Sequence, residues 1–230
     1  MELDIHYSIK VENLCVRLNK LFTLGPMSFT ISKQSIVGIL GANGSGKTIL
    51  LNTIAGLIKP TAGKLELQYS DKFGFSLQIP SYYPNKTILQ NLVIFSKCSG
   101  GHRVDVEQLL AELNISKYKN KKYKQLSVGI QKRMEFISAL AGNPDLILLD
   151  EPTANVDEIG IKLIRDKLFQ LRNEGKKILI SNHHSYEADE ICTHYLLLKH
   201  GLAIDFLDKY SFLNKYKTVK NAIKEISEIS

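Results

Sequence analysis

The sequence predicts an α/β fold built on a mainly parallel sheet. Three short and almost continuously apolar runs, at residues 35–40, 146–149 and 177–180, have the pattern of strands covered on both faces. Residues 159–172, between the second and third runs, have apolar residues at helical spacing. Strands that alternate with helices in this way predict βαβ units with right-handed crossovers. Residues 9–29 instead alternate loosely between apolar and polar, as half-buried strands do.

The composition is that of a folded globular protein. The chain has 230 residues, of which 44% are hydrophobic and 23% are charged, so we expect one domain spanning residues 1–230. No apolar run approaches the roughly 18 to 20 residues that cross a bilayer, and the first residues carry acids where a signal peptide carries lysines. We therefore expect a cytoplasmic chain. The formal net charge of +7 indicates an anionic neighbour, either nucleotide phosphate, a phospholipid surface or nucleic acid.

The middle and the end of the chain favour helices. We interpret residues from about 87 to 140 as a helical subdomain inserted into the α/β core, and residues from about 207 to 230 as a tail that forms an amphipathic helix or a frayed end. Residues 117–124 are the densest basic stretch, in which tyrosines alternate with lysines as in some proteins that bind single-stranded nucleic acid. A solvated, lysine-rich connection is the simpler interpretation.

A glycine-rich loop follows the first apolar run. Residues 41–48, Gly-Ala-Asn-Gly-Ser-Gly-Lys-Thr, match G-x-x-x-x-G-K-[ST] between a predicted strand and a predicted helix. Glycines let successive backbone N–H groups point inward, and the helix N-terminus adds positive potential, so the loop predicts a phosphate site. We expect Lys47 to reach the β- and γ-phosphates and Thr48 to ligate Mg²⁺. The predicted nucleotide contacts are Gly41, Asn43, Gly44, Ser45, Gly46, Lys47, Thr48 and Ile49.

Two consecutive acids end the second apolar run. Asp150 is expected to hold Mg²⁺ through water, and Glu151 to reach the attacking water as a general base or as the group that orients it. Two surface acids at a strand end are the alternative interpretation, which the presence of a phosphate loop disfavours.

Further segments resemble motifs of the ATP-binding-cassette (ABC) ATPase family. Residues 126–133 resemble the LSGGQ signature, residues 151–157 the D-loop, residues 76–78 the glutamine segment and residues 181–183 the switch-histidine segment. Together with the phosphate loop they follow the family's order along nearly the whole chain. This order is far more specific than any one of the short strings.

The resemblance implies a role for particular residues. Gln78 would touch metal and water and sense a membrane partner, and Asp157 would cross a dimer interface. His183, or its neighbour His184, would contact the γ-phosphate at the carboxyl edge of the sheet. The implied catalytic residues are Lys47, Gln78, Glu151 and His183, and the implied metal ligands are Thr48, Gln78 and Asp150.

The signature also has a physical interpretation. Ser127 is a good N-cap for a helix predicted over 131–140, so its hydroxyl and the Gly129 amide lie at a positive helix end that suits a phosphate. An ordinary helix cap is the alternative. In the family this phosphate belongs to the ATP held by the other subunit, which stacks two subunits head to tail.

The whole resemblance implies a P-loop NTPase core with an antiparallel β subdomain at the N-terminus. It implies an ATPase that uses ATP and Mg²⁺, works as a homodimer or heterodimer, and drives a transmembrane permease on another chain from the inner face of the membrane. No nucleic-acid partner is expected, and export is the favoured direction. The alternative is a soluble ABC ATPase that acts on nucleic acid or on a protein assembly.

Two departures from the family pattern concern nucleotide contacts. Val128 and Ile130 stand where the signature has Gly and Gln. The aromatic residue that stacks on adenine is displaced, because Leu18 is near its place and Phe22 comes a few residues later. Phe22 is the candidate for this contact, and packing in the core is the favoured alternative for its ring.

Overall fold

The computed structural model describes residues 7–18, 22–32, 34–67, 72–76, 82–98, 105–181 and 190–228. Strands and helices alternate along these residues, which confirms the predicted α/β class. The strands are β1 (Tyr7–Arg17), β2 (Thr23–Ser32), β3 (Ile36–Leu40), β4 (Ala62–Leu67), β5 (Phe73–Ser76), β6 (Leu146–Asp150), β7 (Lys177–Ser181), β8 (His194–Lys199) and β9 (Leu202–Asp208). The α-helices are α1 (Lys47–Ile54), α2 (Ile88–Cys98), α3 (Val106–Glu112), α4 (Val128–Leu140), α5 (Glu158–Asn173), α6 (Lys209–Tyr216) and α7 (Val219–Glu228).

The elements fall into two compact units. The first unit comprises residues 1–70 and 177–230, and the second unit comprises residues 71–176. The glycine-rich loop and the two C-terminal helices belong to the first unit. The paired acids and the signature segment belong to the second.

The first unit contains two sheets. An antiparallel sheet in the order β2-β1-β4 confirms the predicted antiparallel subdomain at the N-terminus. In the other sheet β3 runs parallel to both β7 and β8, and β9 pairs with β8 in the antiparallel sense. All residues of β3 are buried, as the continuous apolar run predicts for a strand covered on both faces.

The second unit combines a parallel strand pair with several helices. β5 and β6 pair in parallel, and α4 packs across β5. A Cβ atom on Gly74 of β5 would lie 1.9 Å from the Ala139 carbonyl oxygen of α4, so only glycine allows this close approach. Leu109, Leu110 and Leu113, which the sequence assigned to a helix, lie on or next to α3 and are buried.

Two helical regions differ from the prediction. α4 begins at Val128 rather than at Gln131, because the first backbone bond of the helix already runs from the Gln131 N–H to the Ser127 carbonyl (2.9 Å). The C-terminal region forms two helices instead of one, since Lys217 adopts a positive φ of 65° between α6 and α7. Across the described segments, no helix is long and apolar enough to cross a membrane.

Candidate functional site

The glycine-rich loop has the backbone geometry that a phosphate site requires. It connects the end of β3 to the start of α1, and Gly41, Gly44 and Gly46 all have positive φ angles. A Cβ atom on Gly41 would lie 2.3 Å from the Leu198 carbonyl oxygen, whereas one on Gly44 would meet nothing within 4 Å. The loop is therefore packed tightly on one side and open on the other, where Asn43 and Gly44 are exposed.

Lys47 lies inside this loop. Its ammonium group is buried and donates hydrogen bonds to the carbonyl oxygens of Gly41 (2.8 Å) and Ala42 (3.0 Å). Thr48 and Ile49 follow in the first turn of α1 and are half-buried. A buried cation, a helix N-terminus and an open glycine backbone fit an anionic phosphate chain.

Ser45 faces the packed side of the loop. Its Oγ atom would lie 2.6 Å from a Cβ atom on Gly41, and its carbonyl accepts a 3.0 Å hydrogen bond from the Gly201 N–H in the turn between β8 and β9. Within the described residues, the buried Ser45 hydroxyl has no hydrogen-bond partner. The turn between β8 and β9 therefore packs against the side of the loop that carries Ser45.

Phe22, the candidate for stacking on the base, contacts the loop. Its Cζ atom would lie 3.3 Å from a Cβ atom on Gly46, and its side chain is half-buried. Leu18, the other residue near the expected position, is 48% exposed. Phe22 is therefore near the loop and only partly exposed, and its role as a nucleotide contact stays a prediction.

The paired acids lie at the end of β6 in the second unit. Asp150 is 1% exposed, and Glu151 is half-buried with a φ angle of 50°. A left-handed conformation in a residue other than glycine costs about 1–2 kcal/mol and is concentrated at functional sites. The left-handed conformation of Glu151 directly follows the last residue of the strand, Asp150.

The signature segment lies at the N-terminus of α4. Ser127 is the N-cap residue, and its side chain makes no capping hydrogen bond. A Cβ atom on Gly129 would lie 3.0 Å from the Asn155 carbonyl oxygen, so the first turn of α4 packs closely on the D-loop segment. These residues and Lys117 line a cavity of about 500 Å³ within the second unit. The N-terminus of α4, which carries the positive end of the helix dipole, therefore borders this cavity.

A buried arginine that sequence reasoning missed connects the signature helix to the D-loop. Nη2 of Arg133 donates to both carboxylate oxygens of Asp157 (2.9 and 3.0 Å), and Asp157 also caps α5 by accepting from the Gly160 N–H (2.8 Å). Arg133 lies one turn after Gly129 and so on the same face of α4, which is the signal that could have identified it.

Asn91 on α2 is a second residue that the sequence did not single out. Its side chain is fully buried, and it bonds to both backbone groups of Tyr83 (2.8 and 3.1 Å) and to the carbonyls of Lys86 (3.3 Å) and Thr87 (3.0 Å). It therefore holds residues 83–87, which follow the predicted glutamine segment. Thr87 and Gln90 form a reciprocal capping box that predicts the start of this helix from the sequence.

The aromatic residues of the basic stretch are engaged within the second unit. The Tyr123 ring stacks on Tyr82 with centroids 5.1 Å apart, and its hydroxyl donates to Glu135 (3.0 Å). Burial, followed by the negative charge of Glu135, raises the pKa of Tyr123, so the hydroxyl stays a neutral donor. Tyr118 has the ammonium groups of Lys117 and Lys121 over its ring at 5.1 and 5.3 Å.

The structure describes most of the predicted site residues but not all of them. The structure gathers Gly41 to Ile49 and Phe22 in the first unit, and it gathers Ser127, Gly129, Asp150 and Glu151 in the second. Gln78, His183 and His184 lie outside the described residues, so their roles stay predictions.

The fold and the loop define an α/β protein with a loop suited to phosphate, and comparison with known proteins gives its family. Residues 24–154 match the profile of the family described as ABC transporter. The chain is 34% identical over 202 residues to an uncharacterized ABC transporter ATP-binding protein of Methanocaldococcus jannaschii, which covers 86% of this chain and 76% of that protein. It is 33% identical over 199 residues to a bacitracin transport ATP-binding protein of Enterococcus faecalis, covering 81% of this chain and 65% of the relative.

Solved structures share the fold. One titled as the ATP binding subunit of an ABC transporter matches with a TM-score of 0.86 and 19% identity, over 96% of this chain and 100% of its own. A nucleotide-free ATP-binding cassette from an ABC transporter matches with a TM-score of 0.82 and 23% identity, over 97% and 100%. The chain belongs to the ABC transporter ATP-binding family, whose members bind ATP and are ATPases coupled to transport.

Proposed function

We propose that this chain is the energy-coupling subunit of an exporter and that it acts by ATP-driven, head-to-tail pairing of two ATPase subunits. The observation that carries this proposal is that one chain has two separate features suited to phosphate. These are the loop around Lys47 in the first unit and the helix end at Ser127 in the second. In a head-to-tail pair, each ATP would use the loop of one copy and the signature of the other.

The residues of the loop would bind and orient the nucleotide. Lys47 would leave the carbonyls of Gly41 and Ala42 and move its charge to the β- and γ-phosphates, while the backbone N–H groups from Gly44 to Ile49 hold the phosphate oxygens. Phe22 would pack on the base. Loss of the carbonyl bonds is offset by the stronger bond of an ammonium group to phosphate.

The acids would supply the hydrolytic chemistry. Thr48, Asp150 and Gln78 would hold Mg²⁺, which neutralises phosphate charge when it is bound. Glu151, which follows the strand in a left-handed conformation, would accept a proton from the attacking water or orient it. His183 would contact the γ-phosphate and report its presence to the dimer interface.

The partner of this ATPase is proposed to be a transmembrane permease on another chain, with the ATPase bound to the inner face of the membrane. We propose one ABC ATPase domain over residues 1–230, in which residues from about 87 to 140 form the inserted helical subdomain and those from about 207 to 230 the tail. The relative named for bacitracin transport supports a transport function, and substrate contacts are expected in the permease. The pair is either a homodimer or a heterodimer.

A role on nucleic acid is the weaker candidate. Its support is the basic stretch, but Tyr123 is already stacked on Tyr82 and Lys119 is paired with Glu107 at 2.9 Å. These contacts favour the interpretation of the stretch as a solvated connection.

Dimerisation of a hydrolysis-deficient variant tests the proposal. Glu151→Gln keeps the shape of the side chain but removes the base, so ATP should remain bound and hold two chains together. Size-exclusion chromatography, with crosslinking at high protein concentration, should give a dimer with ATP and mainly monomer with ADP, because only the γ-phosphate contacts both subunits.

A second substitution locates the contact. Adding Ser127→Arg should return the ATP sample to monomer, whereas Asn173→Arg, which adds the same group at an exposed end of α5, should not. A Ser127→Arg double variant that still dimerises with ATP would refute the role of the signature. Full hydrolysis by Glu151→Gln alone would remove Glu151 from its catalytic role.

A further inference from the structure

A second cavity lies in the first unit, beside the phosphate loop. Its volume is about 150 Å³, and it is bordered by the loop, by the turn between β8 and β9, and by the C-terminal helix α7, with one side open to solvent. The loop contributes Ala42, Asn43 and Ser45. Asn43 and Ser45 are also predicted nucleotide contacts, so this cavity adjoins the proposed nucleotide site.

The walls opposite the loop expose mainly apolar surface, although Lys199, His200 and Ser227 line the cavity as well. Leu198 at the end of β8 is fully buried, and Ile226 of α7 is 2% exposed. Ile223, one turn earlier on α7, is half-buried and lines the cavity as well. α7 is amphipathic, so its apolar face forms one side of the cavity while Lys220 and Lys224 are exposed.

One polar group in the cavity wall needs a partner. Ser45 is 4% exposed, and its hydroxyl has no hydrogen bond within the described residues. Leaving a buried hydroxyl unsatisfied costs about 1–3 kcal/mol. A molecule that placed a hydrogen-bonding group beside Ser45 would recover part of that free energy.

The size and lining of the cavity define the chemistry of its occupant. An apolar cavity of about 150 Å³ accommodates benzene. We propose that this cavity binds a small uncharged molecule of about seven non-hydrogen atoms, with an apolar body and one hydroxyl group, and that its binding opposes the binding of ATP.

The opposition follows from the contacts of the loop. Lys47 holds the carbonyls of Gly41 and Ala42, and the Ser45 carbonyl is held by Gly201. Ala42 and Ser45 are also walls of the cavity. A molecule that fits the cavity therefore favours this arrangement of the loop, whereas phosphate draws Lys47 away from it. Two ligands that prefer different states of one element weaken each other's binding.

Phenol is the probe for the site. Titration of the full chain, followed by amide NMR signals of the loop and of α7, should show saturable shifts. Ile223→Phe fills the cavity and should reduce the affinity for phenol by about tenfold or more. A tenfold reduction corresponds to about 1.4 kcal/mol of binding free energy. Lys224→Phe adds the same ring on the exposed face of α7 and should leave the affinity unchanged.

Two results of the phenol titration would overturn the site. Absence of saturable shifts in the unsubstituted chain, or equal affinity in Ile223→Phe and Lys224→Phe, would overturn the site. If Ile223→Phe does not fold, Ile223→Ala enlarges the cavity and should instead favour 4-ethylphenol over phenol. The opposite order of preference would also overturn the site.

The coupling is measured with ATP in the absence of Mg²⁺. Saturating ATP should raise the Kd of phenol by about fivefold or more, and saturating phenol should raise the Kd of ATP by the same factor, because linkage is reciprocal. An unchanged or lowered Kd would overturn the proposed opposition.

Discussion

Replacement of Asp157 by alanine should destabilise the second unit through two losses at once. The Asp157 side chain caps α5 and is the ion-pair partner of Arg133, whose own side chain is only 7% exposed. Loss of an N-cap costs about 1 kcal/mol. Loss of the ion pair costs more free energy than loss of the cap, because it leaves a buried guanidinium without its carboxylate.

The size of the second loss depends on solvent. Breaking a fully buried ion pair costs about 3–5 kcal/mol, but the Asp157 side chain is 61% exposed, so water screens the pair. We therefore assign about 1–2 kcal/mol to the pair. The sum predicts that Asp157→Ala lowers the free energy of unfolding by about 2–3 kcal/mol.

Urea unfolding followed by circular dichroism measures this change. Asp157→Asn keeps an N-cap but loses the charge, so it should lose about 1–2 kcal/mol. In the background of Arg133→Met, which replaces the buried cation by an apolar chain, Asp157→Ala should cost only the cap. A loss as large in that background as in the unsubstituted chain would refute the ion-pair argument.

Three further predictions concern nucleotide chemistry and pH. Lys47→Ala should lower ATP turnover by about a hundredfold or more while the chain stays folded, because the charge of Lys47 serves phosphate and not core packing. Unchanged turnover would remove the loop from the active site. Competition of GTP against ATP should show a preference below about a hundredfold, since base stacking is worth about 1–3 kcal/mol and Phe22 is displaced from the usual position; a larger preference would reveal another base contact. Burial, partly opposed by the charge of Asp208, lowers the pKa of His194. The unfolded chain therefore binds the proton more tightly than the folded chain. The stability that this difference contributes is present above about pH 6.5 and is lost as the pH falls toward the folded-state pKa. His194→Gln should flatten this dependence of the free energy of unfolding on pH, and an equal slope in both proteins would contradict the argument.

Local patterns predicted the elements around the phosphate loop well. A continuous apolar run, glycines at fixed offsets and a helical pattern are properties of consecutive residues, so β3, the loop and α1 were accessible from the sequence. The start of α4 was missed by three residues, because Val128, Gly129 and Ile130 are weak helix formers taken singly. Their helical conformation is supported by packing on the D-loop segment.

The break between α6 and α7 shows a second limit. An amphipathic pattern over the tail does not reveal that Lys217 adopts a positive φ, since lysine has no local preference for that conformation. The phosphate loop, the paired acids and the order of motifs were thus determined by the sequence alone, because each rests on neighbours along the chain. The burial of Asn91 was decided by tertiary structure, because α2 packs against α4, although its hydrogen-bond partners are near in sequence. The pairing of Arg133 with Asp157 and the cavity beside Ser45 were also decided only by tertiary structure, because their partners are distant in sequence and meet only when the chain packs.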